Sequence, residues 1–436
     1  MNVDSAIDPS CCGCGHSHRS RDMLSVAQAA DLARSLVAPV LDTEAVAIAD
    51  ACGRVAAYDV HAPRPMPFFD QSAMDGFCVR IADLAGQGPW RMPVAATIAA
   101  GDRPSRGDWR AGTATRIFTG APVPAGADAV VMNEDCDDEG GHVCLHRHPR
   151  RGDNIRRRGG DVADGALLVA AETCIAPRHV GLLAANGLVG LDVRRRPRVG
   201  VFSTGRELIS AAAPEDGRIF DANRPMLLGL VRSAGAAAID LGVVDDDLPA
   251  TVRFFSDHAG DFDLLLSSGA VSAGARDFVR TALVEAGGRI HAWKVAVKPG
   301  KPALFATLGR TACVGLPGNP LSALVGFELF VRAQLLRLGG ASETTREEVC
   351  AVAGYAARRR TGRTEYVPAR IVSRTPAGAP VLRPLGNGSS GTLHAACWSD
   401  GFAVIPAHRS AVAPGDRLGF LPFCPQRMHA RDGELT

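Results

Sequence analysis

Residues 197–340 alternate between short apolar runs and amphipathic segments, and this alternation constrains the fold more than any other feature of the sequence. The predicted strands are RVGVF (198–202), AAAIDLGVV (236–244), FDLLLS (262–267) and TACVGL (311–316). The predicted helices between them lie near 224–234, 248–258 and 277–286. Strands that alternate with helices form a mostly parallel sheet. The sequence therefore predicts a doubly wound α/β domain.

The loops that follow three of these strands are rich in glycine and serine: STGREL, SGAVSAGARD and PGNPLS. In open α/β sheets, ligands bind at the carboxyl ends of the strands. Backbone N–H groups and hydroxyls at that edge suit a phosphate or another oxyanion. One such loop alone is as typical of a simple turn, but three together indicate a binding site. The predicted substrate-binding residues in these loops are Ser203, Thr204, Gly205, Ser268, Gly269, Ser272, Gly274, Gly318 and Asn319.

Several carboxylates lie in or beside the same loops: Glu207, Asp245, Asp246 and Asp277. Oxygen ligands of this kind bind divalent cations such as Mg²⁺ on a phosphorylated substrate. Each acid taken singly is equally typical of a solvated helix cap. The sequence leaves both interpretations open for each carboxylate.

Lysine is almost absent from the chain. Of 48 basic residues only Lys294, Lys298 and Lys301 are lysines, and all three lie in the stretch KVAVKPGK. A sequence that uses arginine everywhere else keeps lysine where a compact ammonium is needed rather than a planar guanidinium. The Pro-Gly turn between Lys298 and Lys301 can direct two ammonium groups at one ligand. The cluster indicates a tight anion site; the alternative is a chance grouping on a solvated strand edge.

Two motif groups lie upstream of the α/β region. PFFDQSAMDGF contains Asp75, and RIFTGAPVPAGADAVVMNED contains Thr119. NIRRRGGDV places Arg156 shortly before the glycine pair and Asp161 directly after it. An arginine triplet is usually a solvated surface, but a guanidinium beside Gly-Gly-Asp can also bind an anion through two parallel hydrogen bonds.

The rest of the chain divides into further predicted segments. Ser25 and Gln28 form a capping box ahead of a helix that runs to about Pro39. The stretch 166–192 is predicted to be helical and to pack beside this first helix, while residues 320–338 form a long helix before Gly339-Gly340. The predicted domains are a flexible tail (1–22), a discontinuous helical linker domain (23–60 and 156–196), a β-rich domain (61–155), the α/β domain (197–340) and a small β-domain (341–425).

Composition excludes several classes of protein. The net charge of +2 is too small for bulk nucleic-acid binding, and no run of about 18 apolar residues is present to span a bilayer. The first ten residues do not resemble a secretory signal, so we expect a cytoplasmic protein without membrane contacts. Single cysteines in apolar surroundings are expected to be reduced, buried thiols: Cys52, Cys78, Cys174, Cys313 and Cys350.

The N-terminal segment CCGCGHSH carries five potential ligands of a soft metal: Cys11, Cys12, Cys14, His16 and His18. Thiolates and imidazoles bind Cu(I) or Zn(II), but this spacing is shorter than in the usual tetrahedral zinc modules. We favour a disordered tail over a metal site.

Taken together, seven motifs in sequence order resemble the molybdopterin molybdenumtransferase family, which includes the C-terminal domain of gephyrin. The motifs are FDQSAMDG, FTGAPVPAGADAVVMNED, NIRRRGGDV, FSTGREL, SGAVSAGARDF, KVAVKPGKP and GLPGNPLSA, and the resemblance covers about residues 24–424. It implies a multi-domain α+β and α/β protein, with an elongated four-domain subunit that forms a homodimer. The α/β domain would then be a three-layer α/β/α unit that shares its fold with the molybdopterin adenylyltransferases.

The resemblance also implies functional residues at matching motif positions: Asp75, Thr119, Arg156, Asp161, Glu207, Asp277, Lys294, Lys298, Pro317 and Pro320, with Asp246 aligned less securely among three adjacent aspartates. We assign a catalytic role to Asp75, Thr119, Glu207, Asp246, Asp277, Lys294 and Lys298. Arg156, Asp161, Lys301, Pro317 and Pro320 join the loop residues as substrate-binding positions. Glu207, Asp246 and Asp277 are the predicted Mg²⁺ ligands.

The function implied is insertion of molybdate into adenylylated molybdopterin with release of AMP, in the presence of Mg²⁺. One alternative is a molybdopterin adenylyltransferase, which needs only the α/β domain. The other is a gephyrin-like scaffold, which gives no reason for the lysine cluster. The expected partners are a second copy of the chain, a molybdopterin adenylyltransferase and molybdoenzyme maturation factors.

Overall fold

The computed structural model describes residues 23–103, 109–209, 217–269, 278–342, 347–386, 388–391 and 393–423. Contacts between Cα atoms divide the chain into two compact units. One unit comprises Met1–Thr43 with Arg194–Thr436, and the other comprises Glu44–Val193. None of the helices in the described ranges is long and apolar enough to cross a membrane.

The first unit contains the predicted α/β sheet. Its six strands lie in the order Ala237–Val244, Arg198–Thr204, Leu264–Ser268, Thr311–Leu316, Pro302–Leu308 and Arg289–Lys294. The first four strands are parallel, and they are the four strands predicted from the sequence. The last two run antiparallel to their neighbours in the sheet. A parallel sheet with an antiparallel edge is common in doubly wound folds.

Helices cover both faces of this sheet. Leu264 and Leu266 pack into one buried cluster, whereas Leu265 between them packs into another, because successive side chains of a strand point to opposite faces. The covering helices are Asn223–Ser233 on the first face and Leu248–His258 and Val279–Glu285 on the second. The three-layer α/β/α arrangement predicted for this region is therefore confirmed.

The long helix predicted for 320–338 is one continuous helical run with a wider turn in its middle. Pro320–Gly326 and Arg332–Leu338 are α-helical, and Phe327–Val331 between them forms a π-helical segment. The helix ends before Gly339 and Gly340, as predicted, and Gly340 has a positive φ of 79°.

The first helix, Val26–Ser35, begins at the predicted capping box. Its buried Ala29 and Ala33 lie against the helical run 320–338. The Gln334 amide donates to the carbonyl of Ala33 at 2.8 Å. The expected partner, 166–192, belongs to the other unit. Small alanines permit close approach to any apolar helix, so the sequence pattern does not specify which one, and a contact with 166–192 stays a prediction.

The stretch 166–192 is also less helical than predicted. It contains the strand Leu167–Val169, the helix Pro177–Ala185 and most of the strand Gly190–Arg194. The helix starts with Pro177 in its first turn, where the missing N–H costs no hydrogen bond. The residue boundaries given above for the predicted domains stay a prediction.

The small C-terminal β-domain is a closed barrel of five strands. Neighbours around the barrel are Thr364–Arg374, Pro380–Pro384, Val349–Ala353, Arg417–Pro422 and Gly401–Ile405, and the last pairs with the first. The strand Val297–Lys298 adds to Thr364–Arg374 in parallel. Closure leaves few open strand edges. The other elements of this unit are the strands Leu208–Ile209, Ile219–Phe220, Ala357–Arg358 and Ala411–Val412 and the helix His394–Cys397.

The unit Glu44–Val193 is rich in β-structure, as predicted. Its main sheet has the order Ala129–Met132, Gly76–Val79, Ala114–Ile117, Trp90–Ile98, His142–Leu145 and Cys136–Asp138. Two-stranded ribbons pair Thr43–Ala47 with Gly190–Arg194, Val60–His61 with Leu167–Val169, and Gln71–Ser72 with Ile155–Arg156. Short 3-10 turns occur at Ile48–Asp50, Ile81–Asp83 and Asn133–Asp135.

The expectation that the cysteines are buried holds for only part of the set. Cys78 and Cys313 are buried, and burial raises the pKa of each thiol to about 12. Cys52, Cys174 and Cys350 are exposed, so the prediction was wrong for these three. Cys350 shows the reason: it alternates along its strand with the buried Ala351 and therefore faces outward. All eight cysteines in the described part of the chain are free thiols.

Candidate active site

The carboxyl ends of the four parallel strands lie level with each other. Ser203 pairs in register with Ser268, Ser268 with Leu316, and Thr204 with Val244. The glycine- and serine-rich loops therefore begin at one edge of the sheet, as the sequence predicted. The predicted residues placed there are Ser203, Thr204, Gly205, Ser268, Gly269, Pro317, Gly318, Asn319 and Pro320. Ser272, Gly274 and Asp277 lie outside the described residues.

Gly269 shows how closely these loops approach each other. Its φ is +93°, and a Cβ placed on it would lie 2.7 Å from the carbonyl oxygen of Thr204. Its N–H donates to the carbonyl of Leu316 at 3.1 Å. Only glycine combines a positive φ with this lack of space. Gly269 thus lets the chain after Ser268 lie close to the ends of both neighbouring strands, at Thr204 and Leu316.

Asn223 connects two of the loops, and it was not identified from the sequence. Its side-chain amide donates to Ser268 Oγ at 2.6 Å and to the carbonyl of Gly318 at 2.7 Å. The residue is only 7% exposed. An asparagine at the start of a predicted helix is typical of a helix cap, but the Asn223 side chain makes no capping hydrogen bond. The sequence signal that could have identified Asn223 is a polar side chain next to the buried apolar face of the helix Asn223–Ser233.

Three buried polar atoms at this edge have no hydrogen-bond partner within the described part of the chain: Ser203 Oγ, Thr204 Oγ1 and Asn223 Oδ1. All three residues are more than nine-tenths buried. A buried polar atom without a partner costs about 1–3 kcal/mol. Their concentration at the carboxyl ends of the strands fits a ligand that carries several polar groups.

The acids Glu207 and Asp246 both contact the turn after the strand Arg198–Thr204. A Cβ on Gly205 would lie 2.6 Å from Glu207 Oε1, so the Glu207 carboxylate covers this glycine. Asp246 Oδ2 accepts a hydrogen bond from the backbone N–H of Arg206 at 3.3 Å. Both carboxylates therefore border the predicted phosphate loop.

The structure separates the roles of the adjacent aspartates. Asp247 accepts from the N–H of Ala250 at 3.0 Å and caps the helix Leu248–His258. Asp246, in contrast, contacts the loop after the neighbouring strand. Asp246 thus borders the glycine-rich loop, whereas Asp247 is a helix cap; the role of Asp246 in the site stays a prediction.

A divalent cation fits the donors at this edge. Among the described residues, no three His, Cys, Asp or Glu side chains form a metal-binding group. Mg²⁺, however, is commonly bound by one or two carboxylates together with substrate phosphates and water. Glu207 and Asp246 supply two carboxylates beside the phosphate loop, and the third predicted ligand, Asp277, is not among the described residues.

Lys294 is placed at the same edge by the topology of the sheet. Its strand, Arg289–Lys294, is antiparallel to Pro302–Leu308, which is itself antiparallel to Thr311–Leu316. Lys294 therefore ends its strand on the side where Leu316 ends. Four strand spacings, about 19 Å, separate its strand from Arg198–Thr204. The Lys294 ammonium lies 4.0 Å from the centre of the Trp293 ring.

The turn that contains Lys298 and Lys301 lies beside the helix Pro320–Gly326. A Cβ on Gly300 would be 3.5 Å from the carbonyl of Ser322. Lys298 Nζ lies 2.7 Å from Glu365 Oε1. The sequence suggested that Lys298 and Lys301 face a common ligand, and the structure adds a protein carboxylate that already pairs with Lys298.

Glu365 was not identified from the sequence. It also receives Arg359 Nε at 2.8 Å. Burial raises the pKa of Glu365, but the hydrogen bonds from Lys298 and Arg359 outweigh this and leave the pKa below its usual value. An ionised Glu365 thus holds the Lys298 ammonium in place.

In the unit Glu44–Val193, Asp75 and Thr119 are directly bonded. The N–H and the hydroxyl of Thr119 both donate to Asp75 Oδ1, each at 2.7 Å. These two hydrogen bonds lower the pKa of Asp75. The two residues come from separate motifs, and the antiparallel pairing of Gly76 with Ile117 brings them together. The fold thus brings the two motifs together, which the sequence did not predict.

Arg156 and Asp161 line a pocket of about 770 Å³ in the same unit. The pairing of Arg156 with Gln71 joins the NIRRRGGDV segment to the FDQSAMDG segment. The remaining lining residues, which the sequence analysis did not assign, are Met66, Pro67, Phe68, Phe69, Gln71, Arg157 and Gly160.

Three family models match the chain in order. The MoeA N-terminal region (domain I and II) matches residues 24–187, a probable molybdopterin binding domain matches 200–337, and the MoeA C-terminal region (domain IV) matches 351–423. The second match contains the parallel strands and their glycine-rich loops, and the third contains the barrel.

Curated relatives agree with these matches. A molybdopterin molybdenumtransferase from Haemophilus influenzae is 34% identical over 384 residues, which are 87% of this chain and 94% of the relative. Molybdopterin molybdenumtransferase 2 from Mycobacterium tuberculosis is 41% identical over 316 residues, which are 70% of this chain and 78% of the relative.

A solved structure shows the same fold. The molybdopterin biosynthesis moeA protein from Pyrococcus horikoshii OT3 is 26% identical, with a TM-score of 0.77, and the alignment covers 92% of this chain and all (100%) of that structure. The similarity in sequence extends over nearly the whole length of the Haemophilus influenzae relative. The chain therefore belongs to the molybdopterin molybdenumtransferase family.

Proposed function

We propose that this protein inserts molybdate into adenylylated molybdopterin and releases AMP, which yields molybdenum cofactor. The observation that carries the proposal is the sheet edge. There, Gly269 lies close to the ends of two neighbouring strands at Thr204 and Leu316, and the buried atoms Ser203 Oγ, Thr204 Oγ1 and Asn223 Oδ1 lack partners among the described residues. Family membership supplies the identity of the substrate.

The physical difficulty of the reaction is negative charge. Molybdate is a dianion, and the adenylylated substrate contains a pyrophosphate link. Cations fixed in a cleft of low dielectric stabilise such charge far better than cations in water. We assign this neutralisation to Lys294 and Lys298, with Lys301 at the same turn, and propose Arg156 as a further cation for the substrate on the unit Glu44–Val193.

Glu207 and Asp246 would hold Mg²⁺ at the pyrophosphate, together with Asp277. Bound there, the cation would neutralise the phosphate oxygens and help AMP to leave. The protein itself positions the phosphates through the N–H groups of its loops. The buried hydroxyls of Ser203 and Thr204 supply further hydrogen bonds. We expect no covalent intermediate with the enzyme.

Asp75 and Thr119 would act as a fixed pair of polar groups. Because the pKa of Asp75 is lowered by its two hydrogen bonds, the carboxylate is ionised at neutral pH. It can accept hydrogen bonds from the substrate or contact a cation, but it cannot donate a proton there. We propose that this pair and the pocket residues Arg156 and Asp161 contact the same substrate.

The alternatives are less well supported. A molybdopterin adenylyltransferase needs only the α/β domain, whereas this chain also matches the MoeA N-terminal and C-terminal regions. A pure scaffold does not require two carboxylates and three unpartnered buried polar atoms at the carboxyl ends of its strands, where the described part of the chain has them.

One assay separates these functions. Purified protein with adenylylated molybdopterin and Mg²⁺ should release AMP only after molybdate is added, and chelation of the cation should stop the release. An adenylyltransferase would instead consume ATP in the presence of free molybdopterin. A scaffold would do neither. AMP release that does not depend on molybdate would contradict the proposal.

The acids provide a matched comparison within the same assay. Glu207→Gln, Asp246→Asn and Asp277→Asn should each slow AMP release by about tenfold or more while the protein stays folded, because these loop acids would serve metal and substrate rather than a core. Asp245→Asn is the control, since this exposed neighbour contacts neither Arg206 nor the helix cap. Equal rates in all four variants would show that the site lies elsewhere.

We further propose that the protein is a homodimer that receives its substrate from a molybdopterin adenylyltransferase and delivers its product through molybdoenzyme maturation factors. The cytoplasmic location and the lack of nucleic-acid or membrane partners stay predictions. The molar mass of the purified protein in solution tests the dimer directly.

A further inference from the structure

We propose that the pocket in the unit Glu44–Val193 binds the pterin ring of the substrate, and that the Asp161 carboxylate pairs with the amino and N–H donors on one edge of that ring. This inference rests on the proposed function, which supplies an adenylylated pterin as the substrate. It assigns to this pocket the part of the substrate that carries no phosphate.

The pocket has the size and lining of a small-molecule site. Its volume of about 770 Å³ holds a bicyclic ring with room for a substituent. One side is apolar and is formed by Met66, Pro67, Phe68 and Phe69. Phe68 and Phe69 are 43% and 44% exposed, which is unusual for two adjacent large apolar side chains. A flat aromatic ligand would cover them.

Three polar side chains that line the pocket have no partner in the described part of the chain, namely Gln71, Arg156 and Asp161. Within the described part of the chain, neither the Arg156 guanidinium nor the Asp161 carboxylate makes a hydrogen bond or ion pair, and the two do not pair with each other. The Gln71 amide also makes no side-chain hydrogen bond there. Groups that converge on a cavity without partners are typical of a ligand site.

The neighbouring Arg157 side chain, which also lines the pocket, pairs in contrast with a carboxylate of the protein. Arg157 Nη1 donates to Asp70 Oδ2 at 2.6 Å, and the N–H of Arg158 donates to Asp70 Oδ1 at 2.8 Å. Burial raises the pKa of Asp70, but these hydrogen bonds outweigh it and lower the pKa overall. This ion pair fixes the loop, so that Arg156 and Asp161 remain available on a rigid support.

The charge pattern selects a pterin rather than the adenine of the same substrate. A pterin presents its 2-amino group and its N3–H side by side, and a carboxylate accepts two parallel hydrogen bonds from such an edge, as it does from a guanidinium. Adenine presents one amino donor beside a ring acceptor, which would place a lone pair against Asp161. Arg156 would contact an anionic group attached to the ring.

The test uses two fluorescent probes, pterin and lumazine, which differ in an amino or an oxo group at position 2. Binding to the full-length protein at neutral pH is measured without molybdate or Mg²⁺. The wild-type protein should bind pterin about tenfold or more tightly than lumazine, because lumazine places an acceptor opposite the carboxylate. Asp161→Asn should abolish this preference, and Phe69→Ala should weaken the binding of both probes.

Matched controls keep the result specific. Asp164→Asn alters an exposed carboxylate three residues away that does not line the pocket, and it should keep the preference for pterin. AMP binding should be the same in Asp161→Asn and the wild-type protein. Because Asp161 is exposed, the thermal unfolding of the variant should match that of the wild type.

The outcomes distinguish a failure of the pterin assignment from a failure of the proposed function. A pterin preference that persists in Asp161→Asn, or a loss of AMP binding instead of pterin binding, would overturn the pterin assignment. Molybdate-dependent AMP release would then still support the proposed function. If pterin binding depends on Asp161 but no AMP is released with molybdate, the pocket assignment stands and the proposed reaction is wrong.

Discussion

At the scale of single residues, Lys298 and Asn223 show two ways in which the protein holds a polar side chain in place. Lys298 donates to an ionised Glu365 that Arg359 also contacts, so its ammonium is fixed by charge. Asn223 is fixed by two hydrogen bonds to neighbouring loops. For both residues, the size of the side chain and the directions of its hydrogen-bond donors therefore matter more than its polarity alone.

Lys298→Arg should therefore impair AMP release although the positive charge is retained. The larger guanidinium would compete with Arg359 for Glu365 and would direct its donors differently. We expect about a tenfold or greater loss in kcat/KM, with a Tm close to that of the wild type because Lys298 is 43% exposed. Lys294→Arg should behave alike. Arg253→Lys, an exposed exchange on the helix Leu248–His258, is the control.

Asn223→Ala should lower both stability and substrate affinity. Two buried hydrogen bonds are lost, and Ser268 and Gly318 lose their common partner, which costs about 1–3 kcal/mol in the free energy of unfolding. Gln334→Ala is matched to it, since this buried amide donates to Ala33 away from the strand ends. Denaturant unfolding should show similar losses for both variants. A KM increase in both, or in neither, would contradict a positioning role for Asn223.

At the scale of elements, the parallel strands explain why distant loops form one site. Strands that run in the same direction end at the same edge, and the register aligns Ser203, Ser268 and Leu316. The loops then approach so closely that Gly269 has no space for a side chain. The sheet thus sets the spacing of the phosphate-binding groups.

Gly269→Ala separates the effect of close approach from that of backbone strain. Gly260 has a similar φ of +87°, but a Cβ placed on it would meet no atom within 4 Å, so Gly260→Ala should cost only the strain, about 1–2 kcal/mol. Gly269→Ala should cost more and should also reduce AMP release, because the loop must move away from Thr204. Equal unfolding free energies and equal rates for the two variants would refute the argument.

At the scale of the whole molecule, the described part of unit Met1–Thr43 with Arg194–Thr436 combines the α/β sheet, the barrel and the first helix. The barrel contributes to the site region through Glu365 on one strand and Ser390 in a loop, which accepts from Asn319 Nδ2 at 2.9 Å. The N-terminal segment CCGCGHSH lies outside the described residues.

Deletion of residues 1–22 should leave the number of subunits in the assembly and the rate of AMP release unchanged. Within the described residues, the contact with the sheet region near this end of the chain is made by Leu24, whose N–H donates to the carbonyl of Lys294 at 3.2 Å. Metal analysis of the full-length protein is the complementary measurement. Copper or zinc bound in stoichiometric amount and lost on truncation would show that the tail is a metal site.

The sequence alone predicted the elements with a clear local pattern. The four parallel strands, the helices between them, the capping box at Ser25 and the loops at the carboxyl ends were all visible, because the period of apolar residues reports which face of an element is buried. Asp75 and Thr119 were found through their motifs. Among the three adjacent aspartates the resemblance favoured Asp246 as the site residue, and the structure adds that Asp247 is a helix cap.

Tertiary structure alone decided which elements are partners. The first helix packs on a helix about 300 positions away, Asn223 connects Ser268 with Gly318, and Lys298 pairs with a glutamate of the barrel. A local pattern specifies that a face is apolar or a side chain polar, but many surfaces of the chain satisfy that requirement equally well. The choice among them depends on the close packing and charge balance of residues far apart in sequence, which exist only in the folded protein.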